Sequence, residues 1–184
     1  MIENPKFADC YFDSHNLSLY ILSKGSLGLL IKLINQFKSS LIMNKNRIEL
    51  LKKDFVQGFP AFCGFIVDSI AHGIMQSRIK IRPEHKQQDG FIHAGVLATL
   101  ADHTAGYSAY TIVPDNMRIL TIEFKINYFK PAIGEEIVCK SKVINAGKKI
   151  IVAESEIYDL VNDKERFISK ALVTLTAVPS RNML

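Results

Sequence analysis

The sequence predicts an α+β protein of two layers, one long helix packed on a five-stranded antiparallel sheet. Three observations carry this. Residues 90–110 hold small and apolar side chains at helical spacing with no proline among them. After residue 117, four runs alternate apolar and polar residues with a period of two. Short breaks containing Pro131 and Gly134, then Asn145 and Gly147, then Asn162 and Asp163, separate those runs. Such breaks are hairpin signals, so the strands they join are expected to be antiparallel neighbours.

Taken in order, the first element lies apart from the rest. Leu27, Leu30, Ile31, Ile34, Phe37 and Leu41 recur at helical spacing, with Lys32, Gln36 and Lys38 between them. This predicts an amphipathic helix over 26–42 in a peripheral extension, 1–42, packed on the domain or on a partner subunit. A membrane-surface anchor through 26–42 is the less favoured alternative. No apolar run approaches the ~18 residues of a membrane span. Met1–Asp13 carries three acids against one lysine, unlike a secretory leader. The charged stretch from Met43 also reads as an alternative start of the protein.

The second region, 43–184, is the main domain. A helix is expected over 46–56, ending near Gly58-Phe59-Pro60. Residues 65–82, with Ile79 and Ile81, are expected to form one long first strand. The central helix follows. The four period-two runs come next. Leu120, Ile122, Phe124, Ile126 and Tyr128 share one face of the first, with Glu123 and Lys125 on the other. Ile137, Cys139, Ser141 and Val143 mark the second; Ile151, Ala153, Ser155 and Ile157 the third; Phe167, Ser169, Ala171, Val173 and Leu175 the fourth.

Composition excludes several function classes. With 48% hydrophobic and 22% charged residues the chain is neither disordered nor fibrous. Lys and Arg total 23 against 18 acids, a net charge of +5, but the basic residues are scattered. A nucleic-acid binder concentrates them in a stripe, so the excess reads as mild attraction for anionic ligands. Cys10, Cys63 and Cys139 are an odd number and far apart, which excludes a CxxC redox pair or a zinc knuckle and points to a reducing cytoplasm.

Chemistry concentrates in 89–106. A glycine-bearing loop leads into a helix that is apolar on nearly every face, and inside that helix sits Asp102. A carboxylate there is costly unless it is paired, emerges at a surface or is functional. At the helix start the backbone N–H groups of Ala94 and Gly95 have no intrahelical partner and lie at the positive end of the dipole. They are suited to a polarised carbonyl oxygen, although Gly90 and Gly95 also fit a plain tight turn. Asp102 follows Ala94 by eight residues, about 12 Å along one helix, so one small carbonyl cannot touch both groups of the same chain.

The run from Gly90 to Gly106, with His93-Ala94-Gly95 followed by Leu100-Ala101-Asp102, resembles the signature of hotdog-fold acyl-CoA thioesterases of the phenylacetate-degradation (PaaI-like) type. Thr121 through Pro131-Ala132 and Gly134, the Gly147-Lys148-Lys149 turn, and Phe59 to Gly64 resemble further parts of that family, so the likeness spans about 45–178. It implies a hotdog fold, one central helix wrapped by the sheet, and hydrolysis of an acyl-CoA thioester to free acid and CoA. Asp102 would attack the thioester or activate water. Ala94 would donate its N–H to the carbonyl, Gln87 and Thr121 would orient water or support the acid, and His93 would orient the turn.

Gly90 and Gly95 would let the substrate approach the backbone. Lys148 and Lys149 are candidates for the CoA phosphates, against a solvated hairpin tip. The motif departs from the family's His-Gly-Gly in having Ala94, and His103 follows the acid, where a packed or interface histidine is the simpler reading. The resemblance implies no metal and no organic cofactor, CoA entering only as part of the substrate. It also implies a homodimer or dimer of dimers whose sites lie at the subunit interface. The alternative function is a hotdog module that senses acyl-CoA without turning it over; a hydratase of the same fold ranks below both.

Overall fold

The structure, a computed structural model, describes residues 43–180 together with Ile31. Apart from Ile31, the helix predicted over 26–42 lies outside the described residues.

Helix α1 (Lys45–Phe55) starts where the Asn44 side chain accepts the Asn46 N–H at 2.9 Å, and ends with Lys52 and Lys53 in its last turn. The expected stop at Gly58-Phe59-Pro60 is instead the start of a short helix α2 (Phe59–Cys63), closed by Gly64 in the left-handed conformation at φ +79°. The single long strand expected over 65–82 is two strands, β1 (Phe65–Ala71) and β2 (Ile74–Lys80), paired antiparallel across a two-residue turn. Gly73 makes the turn, at φ +71°. Its N–H donates to the Thr111 hydroxyl and its carbonyl accepts the Val143 N–H. Apolar residues flank this turn on both sides, which hid the break from a pattern reading.

Helix α3 (Ala94–Tyr110) is followed by β3 (Met117–Tyr128), β4 (Glu136–Ala146), β5 (Ile150–Val161) and β6 (Lys164–Pro179). The sheet therefore has six strands, in the order β1-β2-β4-β5-β6-β3, all adjacent pairs antiparallel. The β4–β5 and β5–β6 connections are the expected hairpins. The Pro131–Gly134 break is not a hairpin: it carries the chain from β3, at one edge beside β6, across to β4 in the interior.

The uniform apolarity of α3 follows from its position. One side lies on the concave face of the sheet, where Leu100, Ala101 and Ala105 are fully buried with Met75, Ile137, Ala153 and Val173. On another side α1 seals it, with Phe55 wholly buried against the rings of His103 and Tyr107. Small residues on α3 bring it close to the sheet, and hydroxyls bridge the gap. Ser77 bonds Thr104 at 2.6 Å, Ser141 bonds Ser155, and Ser155 donates to the Ala101 carbonyl at 2.8 Å. All of these side chains are buried and satisfied.

The alternation expected in β3 is broken. A β-bulge between Thr121 and Glu123 reverses its phase. Beyond the bulge Phe124, Ile126 and Tyr128 pair with the buried Val173, Ala171 and Ser169 rows, as expected. Before it Thr121, opposite buried Leu175, takes the inward place expected for Leu120. Among the described residues no helix is long and apolar enough to cross a membrane.

Candidate active site

The loop entering α3 is a compact bracket. Gly90 closes a turn by donating its N–H to the Gln87 carbonyl at 3.0 Å, and its φ of +82° is the reason for glycine there, since nothing lies within 4 Å of an added Cβ. The Gln87 N–H then donates to the Phe91 carbonyl at 2.8 Å. His93 caps the helix, its Nδ1 accepting the Gly95 N–H at 2.9 Å. So one of the two donors expected to be free is committed. A Cβ at Gly95 would lie 2.9 Å from that same Nδ1, which makes glycine a packing requirement of the cap. The Ala94 N–H keeps no acceptor among the described residues.

Ala94 opens on a pocket of about 260 Å³ whose walls include Gln87, Phe91, Leu97, Tyr128 and Lys130. Tyr128 was not singled out from sequence. Its hydroxyl donates to the Ala94 carbonyl at 3.1 Å, tying the end of β3 to the first turn of α3, and burial pushes its phenol up. Its place on the inward row of β3 was the available signal, but that it reaches the helix start depends on β3 lying beside β6.

Asp102 lies two turns further along α3, half-buried and outside this pocket. The bulge in β3 aims Thr121 at it, and the Thr121 hydroxyl donates to Asp102 Oδ1 at 2.8 Å. Burial raises the carboxyl above the usual aspartate range, while the Thr121 bond and neighbouring His103 pull the other way. The result is a carboxylate that is fixed in direction, partly stripped of water and more basic than an exposed aspartate. His103 points away from any reaction. Its Nε2 bonds the Phe55 carbonyl at 2.9 Å, its ring stacks in the Phe55–Phe65–Tyr107 cluster, and burial lowers its pKa.

Gln87, His93 and Ala94 are thus gathered at one end of the sheet, and Asp102 with Thr121 lies further along it. Lys148 and Lys149 are exposed at the tip of the β4–β5 hairpin, with no ion pair among the described residues. The length of β4, roughly 35 Å, separates them from the pocket of the same chain. Among the described residues no three His, Cys, Asp or Glu side chains gather as metal ligands would.

Residues 89–165 match the family described as the thioesterase superfamily. A thioesterase family protein from Silicibacter pomeroyi has the same fold, with a TM-score of 0.70 and 29% identity over 72% of this chain and 98% of that one. The likeness to the thioesterase superfamily thus covers less than half of the chain. Together with the shared fold it gives the chain the activity class of thioester hydrolysis, on a hotdog fold. The chain is also 29% identical over 96 residues to the medium/long-chain acyl-CoA thioesterase YigI of Escherichia coli, an alignment covering 45% of this chain and 60% of YigI. The PaaI protein of the E. coli phenylacetic acid degradation operon shares the fold at a TM-score of 0.58 and 15% identity.

Proposed function

We propose that the protein hydrolyses acyl-CoA thioesters, with Asp102 as nucleophile or general base and the Ala94 N–H as the donor to the thioester oxygen. The observation that carries this is the Asp102–Thr121 pair, a half-buried carboxylate with raised pKa held by one hydroxyl on the hotdog helix. Gln87 lines the pocket beside Ala94 and is placed to orient water or the acyl carbonyl. The medium/long-chain acyl-CoA activity named for YigI favours acyl-CoA over other thioesters. No cofactor is needed beyond the CoA of the substrate, and Lys148 and Lys149 are assigned to its phosphates.

The separation of Ala94 and Asp102 along one helix supports a homodimer, in which each site takes its N–H from one chain and its acid from the other. The edge strand β3 supports the same assembly, since Leu120, Ile122, Phe124 and Tyr128 leave it strongly apolar and exposed. Cys63 and Cys139 are buried free thiols, which suits a cytoplasmic setting. The test is thiol release from short-, medium-, long-chain and aromatic acyl-CoAs by the full chain and by Asp102→Asn. Turnover by the wild type and its loss in the variant are expected. Saturable binding without turnover would replace the hydrolase with an acyl-CoA sensor.

A further inference from the structure

His85 is only 5% exposed, and no step of the reaction proposed above uses it. It stands at the foot of the loop that delivers Gln87 and Ala94, and each of its polar groups is engaged. Its N–H donates to the Arg82 carbonyl at 3.0 Å, and its carbonyl accepts the His93 N–H at 2.8 Å. Its ring Nδ1 accepts the Arg82 N–H at 3.0 Å. Nδ1 therefore carries a lone pair, and the proton of the neutral ring sits on Nε2. The Arg82 guanidinium lies 3.3 Å from that nitrogen while donating to the Phe62 carbonyl at 2.6 Å. The imidazole thus holds the first leg of the loop at Arg82, whose guanidinium reaches α2, while the His85 carbonyl holds the second leg at His93. Further along, Lys86 bridges Ile92, and the Ile92 N–H donates to the Ala132 carbonyl at 3.0 Å.

We propose that His85 is a positioning residue, whose neutral imidazole pins the 82–93 loop so that Gln87 and the Ala94 N–H face one pocket. Its consequence for turnover rests on the thioesterase reading; its consequence for the loop does not. A side chain with an acceptor at the place of Nδ1 is required, because the Arg82 N–H is directed onto it. Protonation would set an N–H at Nδ1 against the Arg82 N–H and release the loop's first leg. Burial and then the Arg82 cation oppose that protonation, while the Cys63 carbonyl and the Glu84 carboxylate favour it, leaving His85 below the ordinary histidine range. The Cys63 thiol, held up by burial, stays neutral across the same range.

The full chain, labelled with 15N, tests this by NMR between pH 8 and pH 4.5. The ring is expected as the Nε2–H tautomer. Amide protection at Gln87, Ile92 and His93, corrected for intrinsic exchange, should fall at least tenfold as His85 titrates. In His85→Asn the amide oxygen can take the place of Nδ1 but does not titrate, so protection there should stay level. Turnover of wild type and variant should agree within a few-fold at pH 8. Toward acid the wild type should lose activity with one more proton than His85→Asn, since Asp102 titrates in both. A ring protonated at Nδ1 at pH 8, or protection that ignores the titration of His85, would overturn the assignment. If no acyl-CoA is hydrolysed yet protection follows His85 as described, the thioesterase reading fails and the positioning role stands.

Discussion

Asp102 and Asp159 are both aspartates removed from water, and their partners send them in opposite directions. Asp102 has one hydroxyl against its burial, so its carboxyl is raised. Removing that hydroxyl with Thr121→Val leaves burial less opposed. The carboxyl should climb further, and the acid limb of kcat/KM should move to higher pH, which a pH–rate profile would detect. Asp159 is fully buried, and burial alone would raise it too. Its bonds to Arg166 and to the N–H groups of Ile133 and Gly134 overcome that and hold it below the usual range. A depressed carboxylate contributes stability that is present above its unfolded pKa and lost as pH falls through its folded one. Asp159→Ala should therefore lower Tm at neutral pH, with about 1–3 kcal/mol for each N–H left unpaired, and the gap from wild type should narrow in acid. Thermal melts at pH 7 and pH 3 would measure both.

At the scale of elements, Ala94→Pro isolates the backbone donor. Proline suits the first helical position, and the preceding His93 already has φ −63° and ψ 133°, the extended conformation that proline demands of its neighbour. The fold should survive, seen as an unchanged Tm, while turnover falls by roughly a hundredfold. The strands β4, β5 and β6 were legible because their buried residues largely alternate and their hairpins are local. Two features of the sheet were not legible. The β1–β2 turn spans two residues inside an apolar stretch, and Gly73 alone marked it. The bulge in β3 is set by pairing with β6, forty or more residues away, and only that pairing tells that Thr121 rather than Leu120 faces inward. In the site, Asp102 stood out as a carboxylate in an apolar helix. Tyr128 and His85 looked ordinary, because what gives them importance is the loop and strand ends brought beside them by the fold.

At the scale of the whole molecule, the exposed apolar edge at β3 and the split site make one joint prediction. Ile122→Glu, at the bulge of that edge, should yield a monomer by sedimentation and abolish turnover without unfolding the chain. Mixing inactive Ala94→Pro with inactive Asp102→Ala under subunit exchange should restore activity. Half the random dimers are mixed, and one site in each mixed dimer is intact, so roughly a quarter of sites should recover. Confirmed exchange with no recovery would mean that the N–H and the acid do not act across the interface.

The buried hydroxyls between α3 and the sheet act as a key in a lock. A helix resting on purely apolar side chains can slip or roll at small cost, since oily contacts have no preferred register. Here a slide of one turn, about 5.4 Å, would break the Ser77–Thr104 and Ser155–Ala101 bonds and leave Ser77 without a partner in a dry interior. The Ser155 bond falls on the carbonyl of Ala101, the residue just before the acid. The depth of Asp102 is thus gauged by a serine on the sheet beneath the helix, not by anything in the pocket. Wear at that gauge would surface as lost turnover with substrate binding intact, a fault whose origin no inspection of the site itself would reveal.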